Sequence, residues 1–389
     1  MPASGRGLLI IGASTRALAF SALRAGLVPR CADLFADRDL QESCSVVRVP
    51  GASYPHALVD FLDQAPDDPW MYTGGLETRP ALVERSARLR PLWGNDRRAV
   101  EAARCPWHVT SLLREAGLAY PAVRSPADNV PLTGRWLLKS RASTGGSGVC
   151  RWRGEFEKQG GRNELYLQEY IEGESCAAVF VSNGKWAQFI GLTRQLIGET
   201  WLFAKPFRYC GSIGPLPVAG ELRVQFQRLG AVIARGCGLR GIFGIDCIVC
   251  DNTIWPVEVN PRYTASVEIL ELALGLPLVT FHVRVFEPSR DVRSLPTPAA
   301  SARIVGKAVL FARKALEFPV EGPWLDALPP HPGSFQAPLF GDIPQPLCKI
   351  RAGQPILTIF AEASSEDQCF QRLMQQATNL DWVLNKSTR

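Results

Sequence analysis

Residues 242–262 read IFGIDCIVCDNTIWPVEVNPR, and this stretch decides the fold and points to the chemistry. Two apolar segments flank a short polar stretch, Asp251–Thr253, which predicts a β-hairpin. If that stretch is a three-residue loop, Asp246 lies opposite Glu258, and Asn260 shares their face because side chains alternate along a strand. Mg²⁺ prefers such oxygens, taking one or two carboxylates plus substrate phosphates. The hairpin therefore predicts a magnesium site, with a solvated acidic face as the alternative.

The opposite face of the hairpin is expected to be apolar and to pack in the core. Its members are Ile245, Cys247, Val249, Trp255, Val257 and Val259. Pro256 lacks a backbone donor, so its strand should lie at a sheet edge or carry a bulge.

A glycine-rich segment follows an apolar strand farther upstream, within Trp136–Cys150. The strand ends at Lys139, and the glycines that follow are Gly145, Gly146 and Gly148. Residues without Cβ let backbone N–H groups close around phosphate oxygens, and a lysine adds positive charge. No Gly-Lys-Ser/Thr follows, so this is not a Walker A loop. A phosphate-binding loop and a flexible connector both fit the segment.

A second strand, Leu165–Glu174, ends in an acidic tip. One interpretation is that the backbone of Glu169–Ile171 holds adenine while Glu174 accepts hydrogen bonds from ribose hydroxyls. The alternative is an acidic strand end that faces water.

The order of these segments resembles that of the ATP-grasp superfamily. A strand with Lys139 and a glycine loop is followed by Gln-Glu-Tyr-Ile-Glu-Gly-Glu and then by Asp…Glu-Val-Asn-Pro-Arg. The resemblance is closest over residues 93–268 and implies two lobes that grip Mg-ATP. Within the superfamily, Gly173–Gly184 and the Thr-Arg-Gln at 193–195 are most similar to the branch containing tyramine–glutamate ligase.

The resemblance implies a role for each matching position. The residues that would contact the nucleotide are Arg104, Lys139, Gly145, Gly146, Gly148, Gln168, Glu169, Tyr170, Ile171 and Glu174. The residues that would bind one or two Mg²⁺ ions are Asp246, Glu258 and Asn260. The family often has a second phosphate-binding lysine, and here Arg104 takes its place. Arg262 would contact the γ-phosphoryl group or an acyl phosphate. Arg194, on a nearby strand, would steady the acyl phosphate or is a surface arginine.

Length, composition and charge limit which classes of protein this chain can belong to. With 389 residues, 46% hydrophobic and 21% charged, the chain is long enough for two or three domains. A net charge of +6 without a dense basic run favours anionic small molecules over nucleic acid. No apolar run approaches the roughly 18 residues needed to span a membrane. Eleven cysteines without framework spacing favour reduced thiols and a cytoplasmic location.

The N-terminal segment predicts a Rossmann-like parallel sheet. A strand at Leu8–Ile11, a helix that starts near Gly12–Arg16 and a strand at Cys31–Asp33 form a βαβ unit. The G-x-G-x-x-G pattern of dinucleotide sites is absent. The start of the helix would attract an anion or is a tight turn without a ligand. Glu77 would face the cleft or cap the next helix.

These observations predict an α/β and α+β multidomain chain with the ATP-grasp fold. Residues 1–95 would form the N-terminal α/β domain. Residues 96–290 would form the ATP-grasp domain, with a lid at about 120–172 and a larger lobe at about 173–290. After a proline-containing linker at 291–298, residues 299–389 would form a small β-rich C-terminal domain. That domain either packs beside the cleft or builds a homodimer interface.

The expected function is that of an ATP-dependent carboxylate–amine ligase, ADP-forming and acting through an acyl phosphate. Its cofactors would be ATP and Mg²⁺, and its partners would be a small carboxylate and a small amine. One interpretation is that the reaction belongs to cofactor biosynthesis. A carboxylase-like enzyme that forms carboxyphosphate is one alternative. A catalytically silent nucleotide-binding regulator is the other.

Overall fold

The computed structural model describes residues 5–128, 130–132, 135–154, 164–287 and 303–386. The predicted linker at 291–298 lies outside the described residues. The strands are β1 (Gly7–Gly12), β2 (Val28–Asp33), β3 (Ser45–Arg48), β4 (Trp70–Tyr72), β5 (Val123–Arg124), β6 (Trp136–Ser140), β7 (Cys150–Arg151), β8 (Leu165–Glu169), β9 (Glu174–Asn183), β10 (Ala187–Ile197), β11 (Tyr209–Gly214), β12 (Arg240–Cys250), β13 (Thr253–Asn260), β14 (Ile304–Phe311), β15 (Leu316–Glu317), β16 (Phe340–Gly341), β17 (Lys349–Ile350) and β18 (Pro355–Ala363). The helices are α1 (Arg16–Arg24), α2 (Arg38–Gln41), α3 (Ala57–Gln64), α4 (Pro80–Ala87), α5 (Arg97–Ala103), α6 (Pro106–Glu115), α7 (Gly220–Cys237), α8 (Ala265–Leu274), α9 (Val279–Phe286) and α10 (Glu366–Lys386).

The N-terminal strands form a parallel four-stranded sheet in the order β3-β2-β1-β4. The predicted βαβ start is therefore confirmed. Because the strands are parallel, the segments that follow β1, β2 and β4 meet at one edge of the sheet. Those segments carry Ser14, Asp33–Asp37 and Thr73–Glu77.

The lid is a separate antiparallel sheet in the order β5-β8-β6-β7. The glycine-rich segment follows β6, as the sequence predicts, and it leads into β7, which the sequence analysis did not identify. Upstream of the lid lie α5 and α6, and Pro106 begins the second helix, where its missing N–H costs nothing.

A single eight-stranded sheet contains the larger lobe, in the order β13-β12-β9-β10-β11-β14-β18-β16. Its last three strands come from the C-terminal segment, so that segment extends the sheet of the larger lobe and does not build a sheet apart from it. The division into domains at 95 and 290 stays a prediction. Helix α10 packs on β14 and β18 and buries Cys369, Leu373 and Ala377 between them.

The β12–β13 hairpin has a shorter turn than expected. Cys250 pairs with Thr253, so the turn has only Asp251 and Asn252, both with positive φ, as two-residue hairpin turns require. Asp246 nevertheless pairs with Glu258, because the register shifts by one residue between that pair and the next. The predicted opposition of the two carboxylates is confirmed.

The same irregularity changes the apolar face of the hairpin. Pro256 pairs with Cys247 and Ile254 with Val249, so these two residues take the core-facing places expected for Val257 and Trp255. The expectation for Val257 and Trp255 was wrong because it assumed an unbroken ladder. Strand β13 lies at the sheet edge and carries the bulge, which is how it accommodates the proline.

His282 joins the N-terminal region to the larger lobe. Its Nδ1 accepts a hydrogen bond from the N–H of Ile242 at 2.9 Å, so Nε2 carries the proton and donates to the carbonyl of Trp93 at 3.0 Å. Burial, opposed by the hydrogen bond to the carbonyl of Trp93 and assisted by the charge of Arg240, lowers the pKa of His282 from 6.5 to about 4. The folded protein therefore holds this imidazole neutral.

We expect His282 to make folding stability depend on pH. Between pH 6.5 and about 4 the unfolded chain binds a proton at this site and the folded chain does not, so stability falls as the pH falls through that window. The loss approaches roughly 3 kcal/mol, at about 1.4 kcal/mol per pH unit. Urea unfolding at several pH values should show a shallower slope in His282→Gln than in the wild type. The same change at the exposed His331 is the control, and an unaltered slope in His282→Gln would contradict the assignment.

No single helix among the described residues has the length and apolar character to cross a membrane. Helices α8 and α9 meet the length and composition test only as a pair, and they are bent by 111°.

Candidate active site

A cavity of about 380 Å³ lies between the lid and the larger lobe. The lid contributes side chains from β6 and β8, and the larger lobe contributes side chains from β10, β12, β13 and the start of α8. The polar groups at its walls include Lys139, Gln168, Gln195, Asp246, Glu258, Asn260 and Arg262. Residues predicted from two distant parts of the sequence therefore meet in one cleft.

Asp246 and Glu258 form the acidic centre of the cleft. The amide of Asn260 donates to Asp246 Oδ2 at 3.0 Å, and the amide of Gln195 donates to Asp246 Oδ1 at 3.0 Å. Burial, together with the charge of Glu258, raises the pKa of Asp246 to about 7. Burial also opposes ionisation of Glu258, but Arg104 and Lys139 outweigh it and hold the pKa of Glu258 below its usual value.

The acidic centre fits a divalent cation that also binds phosphate oxygens. The two carboxylates are opposed and repel each other, and a cation between them would remove that repulsion. Among the described residues, no three His, Cys, Asp or Glu side chains are placed to hold a metal ion by themselves. Mg²⁺ in this cleft would therefore depend on nucleotide phosphates for its remaining ligands.

Arg104 links the acidic centre to the glycine loop. Its Nη1 donates to Glu258 Oε1 at 2.8 Å, and its Nη2 donates to the carbonyls of Arg141 and Ser143 at 2.7 and 2.6 Å. Only 7% of the Arg104 side chain is exposed. The residue expected to replace the second phosphate lysine thus lies at the junction of the loop and the cation site.

Lys139 lies on the lid side of the cleft. Its Nζ donates to Gln168 Oε1 at 3.1 Å and to the carbonyl of Val257 at 3.2 Å. Burial lowers the pKa of Lys139, but Tyr166, Glu258 and Asp246 outweigh burial and raise it, so the lysine stays charged. An ammonium group has three N–H donors, and one remains for a phosphate oxygen.

Lys139→Ala is expected to weaken binding of ATP at least about ten-fold and to leave binding of adenosine nearly unchanged. The lost contact is a charge-assisted hydrogen bond to phosphate, which contributes roughly 1.5–3 kcal/mol. Calorimetric titration of each ligand measures both affinities, with the exposed Lys185→Ala as the control. Equal losses for ATP and adenosine would place the lysine away from the phosphates.

The predicted adenine hinge lies at the edge of the cavity. Glu169, Tyr170 and Ile171 line it, and Glu169 is held there because its side chain accepts from the N–H of Ala122 at 3.0 Å. Glu174 is exposed and lies between Gly173 and Ser175, which both line the cavity. Its role as the ribose ligand stays a prediction.

The glycine loop, which contains Gly145, Gly146 and Gly148, contacts the larger lobe. The carbonyl of Gly145 accepts from the N–H of Tyr209 at 3.2 Å. Gly146 has φ of +75°, and a Cβ there would lie 1.8 Å from the carbonyl oxygen of Phe207. Gly148 also has positive φ, yet no atom within 4 Å would meet its Cβ. Close approach between lid and lobe therefore depends on Gly146 in particular.

Arg262 lies at the end of the cavity, against the N-terminal sheet. Its Nε donates to Glu77 Oε1 at 2.7 Å, and the other oxygen of Glu77 accepts from the N–H of Gly75 at 2.7 Å. The Glu77 side chain is fully buried, so it holds Arg262 in place from behind the cavity wall. Helix α8 starts three residues after Arg262, and the buried hydroxyl of Thr264 has no hydrogen-bond partner within the described residues. A guanidinium, an unpartnered hydroxyl and a helix N-terminus together form a candidate anion-binding surface.

Arg194 does not reach this cleft, and the role predicted for it is corrected. Its Nη1 pairs with Glu366 of α10 at 2.9 Å, and its guanidinium lies over the ring of Phe370. Successive side chains of a strand point to opposite faces, so the neighbouring Gln195 faces the cavity instead. Ser175 donates to Gln195 Oε1 at 3.0 Å, which orients the amide towards Asp246.

The start of α1 is already occupied by a carboxylate of the chain itself. The backbone N–H and the hydroxyl of Thr15 both donate to Asp33 Oδ2, at 2.6 and 2.7 Å. Of the two interpretations for Gly12–Arg16, the structure favours a turn that binds no external anion at this point.

The contributors to the cleft that were not identified from the sequence include Gln195, Phe207, Tyr209 and Thr264. The signal for Gln195 was its position next to Arg194, because neighbouring residues of a strand point to opposite faces. The docking of Phe207 against Gly146 left no local pattern, because it joins residues about sixty positions apart.

Comparison with known proteins decides the family. The model of the ATP-grasp domain matches residues 106–266, which contain the glycine loop, the hinge and the acidic hairpin. Residues 106–266 therefore form an ATP-grasp domain. The predicted resemblance and fold class are thereby confirmed.

Similar proteins extend over different parts of this chain. An uncharacterised protein of Methanocaldococcus jannaschii is 23% identical over 200 residues, which is 51% of this chain but only 42% of that relative. The L-amino acid ligase of Bacillus licheniformis superposes with a TM-score of 0.68 at 17% identity, covering 96% and 97% of the two chains. The biotin carboxylase domain of a Hydrogenobacter thermophilus 2-oxoglutarate carboxylase, solved as a dimer with MgADP and bicarbonate, gives 0.67 at 14% identity, covering 94% and 88%. At such identities the structures share the fold.

Proposed function

We propose that the protein is an ATP-dependent, ADP-forming carboxylate–amine ligase. The observation that carries the proposal is the arrangement of the cleft. The opposed pair Asp246–Glu258 lies between the glycine loop, which would bind phosphates, and the candidate anion-binding surface of Arg262 and Thr264. Such a cleft would hold the triphosphate of ATP and a substrate carboxylate side by side. The L-amino acid ligase with the same fold supports this class of reaction.

In the proposed reaction, a carboxylate oxygen of the first substrate attacks the γ-phosphorus, and ADP leaves. The product is an acyl phosphate. The nitrogen of an amine then attacks the acyl carbon, inorganic phosphate leaves with the bonding electron pair, and the amine loses one proton. Mg²⁺ would neutralise charge on the phosphates. Phosphoryl transfer otherwise needs positioning and charge stabilisation more than covalent catalysis.

The chain's own residues would share these tasks. Lys139 and Arg104 would bind phosphate oxygens, and the closed glycine loop would exclude water from the acyl phosphate. Arg262, fixed by Glu77, would orient the carboxylate at the γ-phosphoryl group. Gln195 would hold Asp246 in place.

A trapping experiment tests the proposal before the amine is known. The protein is incubated with ATP, Mg²⁺, hydroxylamine and a panel of amino acids and dicarboxylates, and hydroxamate and ADP are measured together. A ligase should yield both in equal amounts with at least one carboxylate, because hydroxylamine intercepts acyl phosphates. ADP without hydroxamate would contradict the acyl phosphate. The Glu258→Gln variant controls for contaminating ATPases.

A carboxyphosphate-forming enzyme is the second candidate. The biotin carboxylase domain was solved with bicarbonate as well as MgADP, and the anion-binding surface here would admit so small a substrate. Formation of ADP that requires bicarbonate and no other carboxylate would favour this candidate. The same relative is a dimer, which supports the predicted homodimer.

A further inference from the structure

A network of hydroxyl groups connects the start of α8 to strand β11 on the larger-lobe side of the cleft. The hydroxyl of Thr193 donates to Ser266 Oγ at 2.9 Å. Ser266 Oγ lies 3.3 Å from Ser212 Oγ, and the hydroxyls of Ser212 and Tyr209 are hydrogen-bonded at 2.8 Å. We call these four residues the hydroxyl network. Ser266 and Tyr209 line the cavity, whereas Thr193 and Ser212 are fully buried.

A bulge in β11 places Tyr209 on the cleft side of the sheet. The register shifts by one residue between Leu196 and Ile197, which leaves Cys210 as an extra residue. Tyr209 therefore pairs with Ile197 and shares its face, which lines the cavity. In an unbroken strand, residues three apart point to opposite faces, and Tyr209 would point away from Ser212. Bulges commonly re-aim a side chain beside an active site, and this one completes the hydroxyl network.

Tyr209 also belongs to the surface on which the glycine loop closes. Its backbone N–H donates to the carbonyl of Gly145 at 3.2 Å, and the nearby carbonyl of Phe207 lies against Gly146. Phe207 has a φ of +63°, a conformation that residues with a side chain rarely adopt, so other contacts must hold the segment there. The hydrogen bond from the Tyr209 hydroxyl to the buried Ser212 is one such contact.

We propose that the hydroxyl network holds the Phe207–Tyr209 segment in the position on which the glycine loop docks around ATP phosphates. Tyr209 and Ser212 are then positioning residues for phosphate binding. Fully hydrogen-bonded networks rigidify the elements they join, and a surface that is already in place spares the cost of ordering it during binding. The network anchors this surface to the first turn of α8, next to the candidate anion-binding surface. This inference rests on the proposed binding of ATP and does not depend on which carboxylate is ligated.

Calorimetric titration with ATP and with adenosine tests the inference without turnover. Tyr209→Phe and Ser212→Ala should each raise the Kd of ATP about five-fold, which corresponds to one hydrogen bond. The Kd of adenosine should stay unchanged, because adenosine has no phosphates on which the loop can close. The double variant should bind ATP as well as either single variant, because both changes remove the same hydrogen bond.

Ser182→Ala is the matched control. Ser182 is as deeply buried as Ser212 and lies in the same sheet, but its hydroxyl donates to the carbonyl of Trp186. This variant should lower the Tm as Ser212→Ala does and should leave the Kd of ATP unchanged. Ser212 is not among the described residues that line the cavity, so weaker binding in Ser212→Ala cannot come from a lost ligand contact.

Three results would overturn the inference. An unchanged Kd of ATP in Ser212→Ala, with or without a loss in Tyr209→Phe, would mean that the network does not position the segment. Equal losses for ATP and adenosine would indicate a general loosening of the larger lobe. Absence of ATP binding to the wild type would refute the proposed function as well. Failure of hydroxamate formation alongside Ser212-dependent ATP binding would refute only the ligase proposal.

Discussion

Glu258→Gln should reduce ADP formation at least about 10²-fold while leaving most of the affinity for nucleotide. Glutamine has nearly the shape of glutamate and still offers an acceptor to Arg104, so the fold and the loop contact persist. What disappears is the negative charge opposite Asp246, on which the proposed Mg²⁺ site depends. Removing one electrostatic contact to the reacting groups typically costs this much in rate. Adenine and ribose contacts lie elsewhere, at the hinge.

The measurement is ADP release at saturating Mg²⁺ with the best carboxylate from the trapping panel, together with the Kd for ATP. Asp251→Asn is the matched control, because it removes one acid from the turn of the same hairpin, where asparagine accepts the positive φ of 48°. Its rate should equal that of the wild type. Turnover at the wild-type rate in Glu258→Gln would remove Glu258 from the cation site.

Much of the site could be predicted because its determinants are local. The glycine loop, the hinge and the acidic hairpin are each contiguous in the sequence, and each follows a strand whose pattern is readable. The pairing of Asp246 with Glu258 was predicted with a loop one residue too long. The pairing of Asp246 with Glu258 is nevertheless correct. The bulge next to Pro256 adds one residue to β13, which compensates for the residue missing from the shorter turn.

The remaining parts could not be predicted because they depend on register and on distant contacts. Strand β10 carries a register shift between Phe189 and Gly191, so counting alternate residues does not tell which face Arg194 occupies. Likewise, the strand pattern of the C-terminal segment does not reveal which sheet it joins.

Gly146→Ala is expected to cause the second large effect, through closure of the lid. In the closed position a Cβ at this residue would lie 1.8 Å from the carbonyl oxygen of Phe207, which is backbone and cannot rotate away. The variant must therefore hold the loop away from the larger lobe. An open loop cannot place its N–H groups on the phosphates or exclude water from the acyl phosphate.

The expected result is a loss of at least about ten-fold in ATP affinity and a larger loss in ligation rate, since closure affects both binding and positioning. Gly148→Ala isolates this effect. It imposes the same strain of a positive φ, +76° against +75°, but meets no atom within 4 Å. Calorimetry with ATP, and hydroxamate formation for each variant, give the comparison. Similar losses in both variants would mean that backbone strain, and not the contact with Phe207, controls the loop. A large loss confined to Gly146→Ala would show that the lid must dock on the Phe207–Tyr209 segment before phosphoryl transfer.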